Sequence, residues 1–400
     1  MSTVKKILTI IIILVALSAG LIGFWLYQNR EIAPTPVPNL PTIDEFFPVD
    51  TGEGGPLEEE ALAPGFGESL VNQSFGQGLN RLLDIPISDF QLNQGATTSK
   101  IYYLDKATGH LYEKDLLNNQ ATRLSNYTAP GLTEAKFFLG ATSTIDFWAI
   151  KPEAGGQVLL SSTGNIISPN LIALASSPDQ KKVFLLEKVG DGAIGSVLDW
   201  QKPENKKVIF RAGVSEWLVS WPTNSSILLN TKPAANYAGL IYNLDPNTGK
   251  LTRLIGSSFG LAGHLSPDGT KLVYSHNNGA GLNLSLLNLN TNEITLLGIQ
   301  TLAEKCVWTS DSKLIYCAVP TKLSPLPLPD AYYRGEIAWQ DNFWQINTDT
   351  GESYLIFETS TVFGLQNNLD ASRLSLNPAE NRLIFQNRPD ATLWSLSWEQ

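Results

Sequence analysis

The stretch Ser266-Pro267-Asp268-Gly269-Thr270-Lys271-Leu272-Val273-Tyr274 decides the fold, because it reads as a tight turn followed by a strand and because it recurs along the chain. Proline presets the turn geometry, and the aspartate side chain caps the turn. The apolar residues that follow alternate with period two, which indicates strands rather than helices. Related stretches lie at residues 177–184, 221–228, 308–316 and 377–385.

A second kind of turn follows most of these strands. It is clearest at residues 245–250, Asp-Pro-Asn-Thr-Gly-Lys, which has the form of a hairpin loop with glycine at the position that needs a positive φ. Similar turns occur at 105–109, 290–293 and 349–352, and short apolar strands follow most of them. Two hairpins in each repeat predict a unit of four antiparallel strands.

The spacing of the repeats predicts the architecture. The expected second strands of the repeats begin near Ile101, Asp146, Val183, Ile227, Leu272, Leu314 and Leu383. The intervals are 37 to 45 residues, except the last interval of 69, which contains an insertion. Seven copies of a four-stranded unit at this period predict an all-β fold, a seven-bladed β-propeller of four-stranded blades over residues 79–400.

The two ends of the repeat region are complementary. The last copy stops after its third strand, at residues 393–398, whereas residues 79–85 have the pattern of a fourth strand but precede the first copy. We therefore expect the N-terminal strand to complete the last blade. This pairing would close the ring and leave no exposed inner edge.

The Ser-Pro-Asp-Gly hairpins followed by the Asp-Pro-Asn-Thr-Gly hairpin resemble the WD40-like (PD40) repeats of TolB-type propellers. The resemblance covers about residues 79–400. It implies the propeller fold and says little about function. The chain departs from TolB in having an apolar N-terminus and an acidic stretch where TolB has a separate α/β domain. The role of TolB with its lipoprotein partner is therefore not carried over, and the chain looks like a membrane-anchored relative.

Residues 1–30 are predicted to form a membrane anchor. Residues 7–27 contain no charged side chain, and as a helix of 21 residues they would span roughly the 30 Å of a bilayer core. A cleaved signal peptide is the alternative, with Ser18-Ala19-Gly20 as the cleavage region, but the apolar run continues to Tyr27, longer than a usual signal. Lys5 and Lys6 precede the run, which predicts a cytoplasmic N-terminus and an extracytoplasmic propeller, at the cell surface or in a periplasm.

Residues 31–78 are predicted to be a linker. The stretch 31–80 contains seven prolines, nine acidic residues and no lysine or arginine. Such a composition favours an extended tether without a core of its own. Of the formal net charge of −10, most therefore belongs to this segment, and the predicted propeller is close to neutral.

Composition excludes several classes of function. The acidic balance disfavours nucleic-acid binding. Two cysteines in 400 residues exclude a disulfide-rich scaffold and a four-cysteine zinc site, and three histidines argue against a histidine-based metal site. The stretch Gly256-Ser257-Ser258-Phe259-Gly260 fits the G-x-S-x-G pattern, but no helix is expected to follow it, as a nucleophile elbow requires. We therefore assign no catalytic residue, no metal ligand and no cofactor.

Cys306 and Cys317 flank one predicted hairpin. A two-residue loop at Asp311-Ser312 sets the two cysteines opposite each other, at a separation that a disulfide can span. A register shift of one residue would instead leave two buried thiols. The sequence leaves both outcomes open.

The insertion in the sixth repeat, residues 320–341, is the candidate binding element. It combines prolines with the side chains that interfaces use most, namely Tyr332, Tyr333, Arg334, Glu336, Trp339 and Asp341. It is expected to lie on the face where propellers commonly bind ligands. The alternative is that these aromatic side chains cover the ring or pack between blades.

These observations predict a membrane-tethered, non-catalytic module that binds a protein, a peptide or an envelope polymer. The alternative is a propeller enzyme, a hydrolase or lyase with a metal- or carboxylate-based site in the central channel. A third hypothesis is a structural spacer without a pocket. The side chains that line the channel distinguish these hypotheses, since converging carboxylates or histidines favour the enzyme.

Overall fold

The computed structural model describes residues 73–74, 78–93, 100–139, 145–277, 281–361 and 369–398. These residues lie in one compact unit, Gly67–Gln400. They form an all-β fold of antiparallel sheets in which neighbouring strands follow one another along the chain. The predicted anchor, residues 7–27, lies outside the described residues, and within the described ranges no helix is long and apolar enough to cross a membrane.

The N-terminal half of the repeat region contributes two sheets. It is preceded by the N-terminal strands β1 (Gln73–Ser74) and β2 (Leu79–Leu83). The first sheet contains β3 (Ile87–Leu92), β4 (Lys100–Asp105), β5 (Leu111–Asp115) and β6 (Ala121–Arg123). The second contains β7 (Glu134–Leu139), β8 (Ile145–Glu153), β9 (Gly156–Ser161), β10 (Ile166–Ser176), β11 (Lys182–Val189), β12 (Gly192–Asp199) and β13 (Lys207–Ala212).

The C-terminal half contributes three sheets. The third sheet contains β14 (Trp217–Thr223), β15 (Ser226–Thr231), β16 (Ala238–Leu244), β17 (Leu251–Leu265), β18 (Lys271–Asn277), β19 (Leu282–Asn288) and β20 (Ile294–Leu296). The fourth contains β21 (Cys306–Trp308), β22 (Leu314–Pro320), β23 (Asp341–Asn347) and β24 (Ser353–Phe357). The last contains β25 (Ala371–Leu376), β26 (Arg382–Asn387) and β27 (Leu393–Ser397), joined by β2 and β1. The helical turns in the described part of the chain are α1 (Asp330–Tyr333) and two 3₁₀ turns, Ala303–Lys305 and Thr359–Thr361.

Each seven-stranded sheet consists of two four-stranded units that share one long strand. The first part of β10 pairs with β9, and its second part pairs with β11. The strand β17 likewise pairs with β16 before it and with β18 after it, with register shifts near its middle. The G-x-S-x-G stretch, Gly256–Gly260, lies inside β17 and is followed by strand.

The repeated turns form as the sequence predicts. In the turn at Ser266, the hydroxyl donates to Asp268 Oδ1 at 2.6 Å, and the same oxygen accepts the Thr270 amide at 2.9 Å. The second kind of turn uses Asp245, whose Oδ1 accepts the amides of Asn247 and Thr248 at 2.8 and 3.0 Å. The seven second strands begin within one residue of their predicted starts.

The hydrophobic core lies between neighbouring sheets. Phe184 and Phe210 of the second sheet pack with Trp217 of the third, for example, and Phe343 of the fourth sheet packs against Phe385 of the last at 5.1 Å between ring centroids. Residues of the last and the first sheets share a further cluster. Each sheet therefore buries both faces, as in a propeller.

The ring closes through its N-terminal strand. The strand β2 pairs with β27, with Leu79 opposite Leu396 and Arg81 opposite Trp394, which confirms the predicted pairing. Arg81 also forms an ion pair with Asp390 at 3.1 Å. The strand β1 pairs with β2 and gives this sheet a fifth strand. The four-stranded expectation is wrong for this sheet, because residues 73–74, assigned to the linker, are extended and pair with its edge.

Candidate functional site

The first strands of six of the predicted repeats, all but β3, line a central channel. A cavity of about 630 Å³ runs along residues of β7, β14, β21 and β25 and along the shared strands β10 and β17. A second cavity of about 460 Å³ opens on the face that carries the insertion, and we call it the mouth. Thr133, Glu304 and Arg373 line both cavities. The mouth and the channel therefore share one wall.

The channel has two walls of different chemistry. The apolar wall comes from β10 and β14, where the partly exposed residues Ile172, Leu218 and Val219 line the cavity. The charged wall carries Glu134 and Lys136 of β7, Glu304 of the 3₁₀ turn and Arg373 of β25. These charged side chains lie deep within the ring, yet water reaches them along the channel.

Arg373 lies where the mouth and the channel meet. Its backbone is left-handed, with φ of 53°, at a bulge in β25 between Ser372 and Ser375. Such a conformation is strained for a residue with a side chain and often marks a functional position. Arg373 Nη1 lies 2.5 Å from Asp89 Oδ2, and Nη2 donates to the Thr133 carbonyl at 2.9 Å. Burial opposes the charged form, but Asp89 and Glu134 raise the pKa of Arg373.

Asp89 links three neighbouring repeats. Besides its ion pair with Arg373, its carboxylate accepts the Ala135 amide of β7 at 2.8 Å. Beside it, Lys136 Nζ lies 2.9 Å from Glu134 Oε1. Burial disfavours the charged lysine, but Glu134 and Asp89 outweigh it and raise the pKa of Lys136. Glu134 with Lys136 and Asp89 with Arg373 are thus matched pairs, while no ion pair among the described residues joins Glu304.

Glu304 projects into the channel beneath the insertion. The Tyr333 hydroxyl donates to Glu304 Oε2 at 3.0 Å. Desolvation within the ring raises the pKa of Glu304, although the Tyr333 hydroxyl and Lys305 counteract it. Desolvation and the Glu304 charge also raise the pKa of Tyr333 well above its ordinary value. Glu304 thus offers one exposed carboxylate at the junction of the two cavities.

Lys305 lies on the dry side of the same turn. Its Nζ lies 2.7 Å from Asp341 Oδ2 and 2.5 Å from Asp370 Oδ1, and all three side chains are 1% exposed or less. Arg388 Nη1 lies 3.5 Å from Asp370 Oδ2. Burial opposes the charge of Lys305, but Asp341 raises its pKa above the ordinary value. We call Lys305, Asp341, Asp370 and Arg388 the buried cluster.

The buried cluster anchors the aromatic side chains of the insertion. Tyr332 and Trp339 stack at 4.3 Å between ring centroids, with Lys305 Nζ 5.4 and 5.1 Å from the two rings. Arg388 lies over Tyr332 at 4.1 Å and donates to its carbonyl. The backbone amide of Trp339 donates to Asp370 at 3.2 Å.

The predicted binding residues of the insertion therefore divide into three groups. Tyr332, Trp339 and Asp341 are buried, and they pack the insertion onto the ring. Arg334 and Glu336 are exposed and pair with each other at 2.6 Å. Tyr332 and Tyr333 line the mouth. The insertion thus forms the rim of a cavity whose walls lie elsewhere in the chain.

Asp330 extends the rim across the ring. Its carboxylate accepts the Ala235 amide of the β15–β16 loop at 2.6 Å. The insertion therefore contacts the third sheet as well as the fourth and the last.

Cys306 and Cys317 stand directly opposite each other in the β21–β22 pair. A disulfide joins them, with 4.1 Å between their Cα atoms. Cys306 directly follows Glu304 and Lys305. The bond therefore holds the start of β21, directly after the 3₁₀ turn that carries both the channel carboxylate and the centre of the buried cluster.

The histidines near the channel do not form a catalytic pair with an accessible nucleophile. His264 Nδ1 lies 3.2 Å from the Cys306 carbonyl, and burial lowers the pKa of the ring, so it is neutral at pH 7. His276 Nε2 lies 3.0 Å from Ser285 Oγ, but Ser285 is buried. A substrate in the channel would not reach that hydroxyl.

The sequence did not single out Asp89, Glu304, Lys305, Asp370, Arg373 or Arg388. One signal was present, because Asp89 interrupts the buried stretch Ile87–Leu92 with a charge. The others depend on partners far away in the chain. The bulge that directs Arg373 into the channel depends on the register of β25 against β26.

No protein-family model matches the chain, and no curated protein matches it by sequence. Among solved structures, it is similar to an oligogalacturonate lyase from Vibrio parahaemolyticus, with 12% identity, a TM-score of 0.56, and coverage of 80% of this chain and 94% of that one. An oligogalacturonate lyase in complex with manganese has 13% identity and a TM-score of 0.50 over 79% of this chain and 97% of that one.

The similar structures also include TolB from Acinetobacter baumannii, with 15% identity and a TM-score of 0.41 over 78% of this chain and 79% of that one. The similarity to the first oligogalacturonate lyase, with its TM-score of 0.56, shows the fold alone. Propellers of this shape serve in both binding proteins and enzymes, so the fold alone does not assign a function.

The charged wall does not fit a manganese centre. Within the described ranges, no three histidine, cysteine or carboxylate side chains converge as metal ligands. Asp89 and Glu134 are each paired with a cation, and Glu304 accepts a tyrosine hydroxyl. A divalent ion would have to displace these partners. We therefore derive no metal-dependent step for this chain.

Proposed function

We propose that the chain is a membrane-tethered β-propeller of seven blades that binds a protein, a peptide or an envelope polymer at the mouth of its channel, without catalysis. The two shared strands divide the seven-stranded sheets into two units each, which supports the count of seven. Residues 7–27 serve as the anchor and residues 31–78 as the tether, and the propeller lies outside the cytoplasm.

One observation carries the binding function. The mouth and the channel are open cavities of the size that ligand pockets commonly have. Most charged side chains along them are held in fixed pairs, such as Arg373 with Asp89 and Glu134 with Lys136. Fixed pairs of this kind orient a ligand. Glu304 has no ion pair among the described residues, but it accepts a tyrosine hydroxyl, and we assign it to ligand contact rather than to proton transfer.

The binding function is tested by blocking the mouth. Thr133 is exposed and lines both cavities, so the change Thr133→Trp would fill their junction. The full-length protein in detergent is incubated with envelope extract and crosslinked, and the captured material is compared with that of the unaltered chain. We expect Thr133→Trp to lose the captured partner.

The matched control is Thr122→Trp, the same change at an exposed position of the edge strand β6. It should capture the partner as well as the unaltered chain does. If Thr133→Trp captures the partner as well as Thr122→Trp and the unaltered chain do, the mouth is not the binding site. Turnover of an envelope polymer by the purified protein would refute the non-catalytic assignment.

The anchor is tested separately, by deleting residues 1–30. We expect the unaltered protein to remain in the membrane fraction after alkaline washing and the deleted form to be released. External protease should degrade the propeller in intact cells, or in spheroplasts where an outer membrane encloses it. A protected propeller would contradict the extracytoplasmic location.

A further inference from the structure

We propose that the ligand bound in the channel is the C-terminal end of a peptide chain, with its free α-carboxylate on Arg373 and an aliphatic side chain on the apolar wall. This inference rests on the proposed binding function and specifies its ligand. It follows from three features of the junction between mouth and channel.

The first feature is the set of free donors on Arg373. A guanidinium carries five N–H groups, and the described contacts of Arg373 engage two of its nitrogens, with Asp89 and with the Thr133 carbonyl. Its side chain is 35% exposed toward the cavities. Asp89 fixes the orientation of the guanidinium, so the remaining N–H groups present a preorganised receptor for a carboxylate, which guanidinium binds in a planar, two-pronged geometry.

The second feature is the apolar wall that shares the cavity with Arg373. Ile172, Leu218 and Val219 line the same 630 Å³ space. A ligand that is charged at one end and aliphatic beside it can satisfy both walls at once. Inorganic anions would leave the apolar wall in contact with water.

The third feature is an acceptor beside the carboxylate receptor. Glu304 lines both cavities with an exposed carboxylate, and only the Tyr333 hydroxyl donates to it among the described side chains. A peptide N–H would donate to Glu304, whereas a fatty acid has no such donor. The same negative charge disfavours a doubly charged phosphate next to Arg373.

The shape of the entrance favours the C-terminal end of a peptide over an acidic side chain in the middle of one. The channel is enclosed by the inner strands, and the insertion extends over the mouth to the Ala235 amide. A terminus enters such an opening as a single extended strand, while an internal segment would have to enter as a loop of two.

The experiment compares peptides that differ only at their terminus. The probe is a mixture of hexapeptides with leucine or valine at the last position, prepared as free acids and as C-terminal amides. Immobilised full-length protein in detergent retains peptides, which are identified by mass spectrometry, and the best are measured singly. We expect the free acids to bind and the amides to bind at least about tenfold more weakly, since a charge-assisted contact is lost.

Two variants assign the contacts. Arg373→Gln should reduce free-acid binding to the level of the amide, whereas Arg211→Gln, at an exposed position of β13, should have no effect. Leu218→Glu places a second negative charge against the ligand and should also weaken binding, independently of any effect of Arg373 on folding. Circular dichroism checks that each variant is folded.

Equal binding of acids and amides, or retention of no peptide, would overturn the inference. Free leucine and decanoate are tested as competitors at the same concentration as the peptide. If either displaces the peptide, the site does not require a peptide carboxylate, and this part of the inference is wrong. If Thr133→Trp abolishes partner capture but free acids and amides bind equally, the proposed binding function is supported and the peptide C-terminus is wrong as its ligand. If capture ignores Thr133→Trp, the proposed function itself fails.

Discussion

Glu304 and Lys305 are neighbours in the chain, but they lie in opposite environments. Glu304 is exposed in the channel and interacts with a tyrosine hydroxyl, while Lys305 is sealed among two carboxylates and two aromatic rings. The two residues belong to two different clusters of ions. The wet cluster, Asp89, Glu134, Lys136, Glu304 and Arg373, joins the first, second and last sheets, and all its members except the nearly buried Asp89 line the channel. The buried cluster joins the fourth and last sheets and faces the insertion.

Burial, rather than residue type, therefore distinguishes the proposed binding wall from the cluster that anchors the insertion. Both clusters contain carboxylates matched with lysine or arginine. In the wet cluster water screens the charges, so a ligand can replace water at modest cost. In the buried cluster removal of one partner leaves a charge with no compensation, so these residues hold one arrangement of the insertion.

The largest expected effect comes from Lys305→Met. The change removes the cation between Asp341 and Asp370, both of which are fully buried. We expect a loss of about 3–5 kcal/mol in the free energy of unfolding, since two buried carboxylates lose their partner. Denaturant unfolding of the full-length protein, followed by tryptophan fluorescence, measures it.

The matched control is Lys313→Met, whose ion pair with Asp311 is well exposed. It should change the free energy of unfolding by less than about 0.5 kcal/mol. Adding Asp341→Asn to Lys305→Met should restore part of the loss. A loss no larger than that of the control would show that the buried cluster does not anchor the insertion.

The disulfide gives the next largest effect, because it holds the strand that follows both residues. Replacing Cys306 and Cys317 together by alanine opens a loop whose ends are 11 residues apart. The chain-entropy model predicts a loss of about 2–3 kcal/mol. The unfolding midpoint, with and without a reducing agent, measures it. An unaltered chain that is insensitive to complete reduction would contradict this prediction.

The same two clusters define what the sequence could predict. Turn chemistry and period-two patterns are local, so the repeats, the starts of the second strands and the ring closure at Leu79–Leu83 follow from the sequence. For Cys306 and Cys317 the sequence leaves two registers open, and the structure shows the one that joins them. The two ion clusters cannot be predicted from the sequence, because each joins residues from separate repeats, such as Lys305 with Asp370.

The insertion illustrates the limit most clearly. Its composition is that of an interface, but composition cannot distinguish a partner in another molecule from one in the same ring. Tyr332 and Trp339 pack on Lys305, whose position near them depends on the tertiary fold. Whether an aromatic side chain faces outward or inward was therefore decided by residues outside the insertion.

A smaller effect is expected from pH, and it belongs to Asp341. Desolvation raises the pKa of Asp341 from its ordinary value of 3.8 to about 6, although Lys305 counteracts it. The second carboxylate oxygen of Asp341, Oδ1, is buried without a hydrogen-bond partner among the described residues. Asp370, Tyr332 and Arg388 are the other ionisable groups of this interior.

The sign follows from the raised pKa. Between pH values of about 4 and 6 the folded chain retains a proton that the unfolded chain has released. The free energy of unfolding should therefore fall as the pH rises through this window. Above it, Asp341 should cause no further change with pH. The change Asp341→Asn should remove this slope. Parallel pH profiles of the two proteins would contradict the prediction.

Arg373→Gln should have a smaller effect on stability than any change in the buried cluster. Arg373 is partly exposed, but the Asp89 side chain is only 9% exposed and keeps the amides of Phe90 and Ala135 after the change. We therefore expect a loss of about 1–2 kcal/mol. Relief of the left-handed backbone at this position is not expected, since glutamine has the same steric restriction. A loss as large as that of Lys305→Met would mean that the wet cluster is also an anchor.

The smallest expected effect is that of divalent metal. The carboxylates of the wet cluster would have to release Arg373, Lys136 and the Tyr333 hydroxyl to converge on an ion. We expect elemental analysis of protein purified without chelator to find no stoichiometric metal, and manganese or a chelator to leave the unfolding midpoint unchanged. Manganese should also leave the unfolding midpoint of Glu304→Gln unchanged. A stoichiometric ion that is lost in Glu304→Gln would replace the binding assignment with a channel-centred enzyme, because the exposed carboxylate would then be a metal ligand.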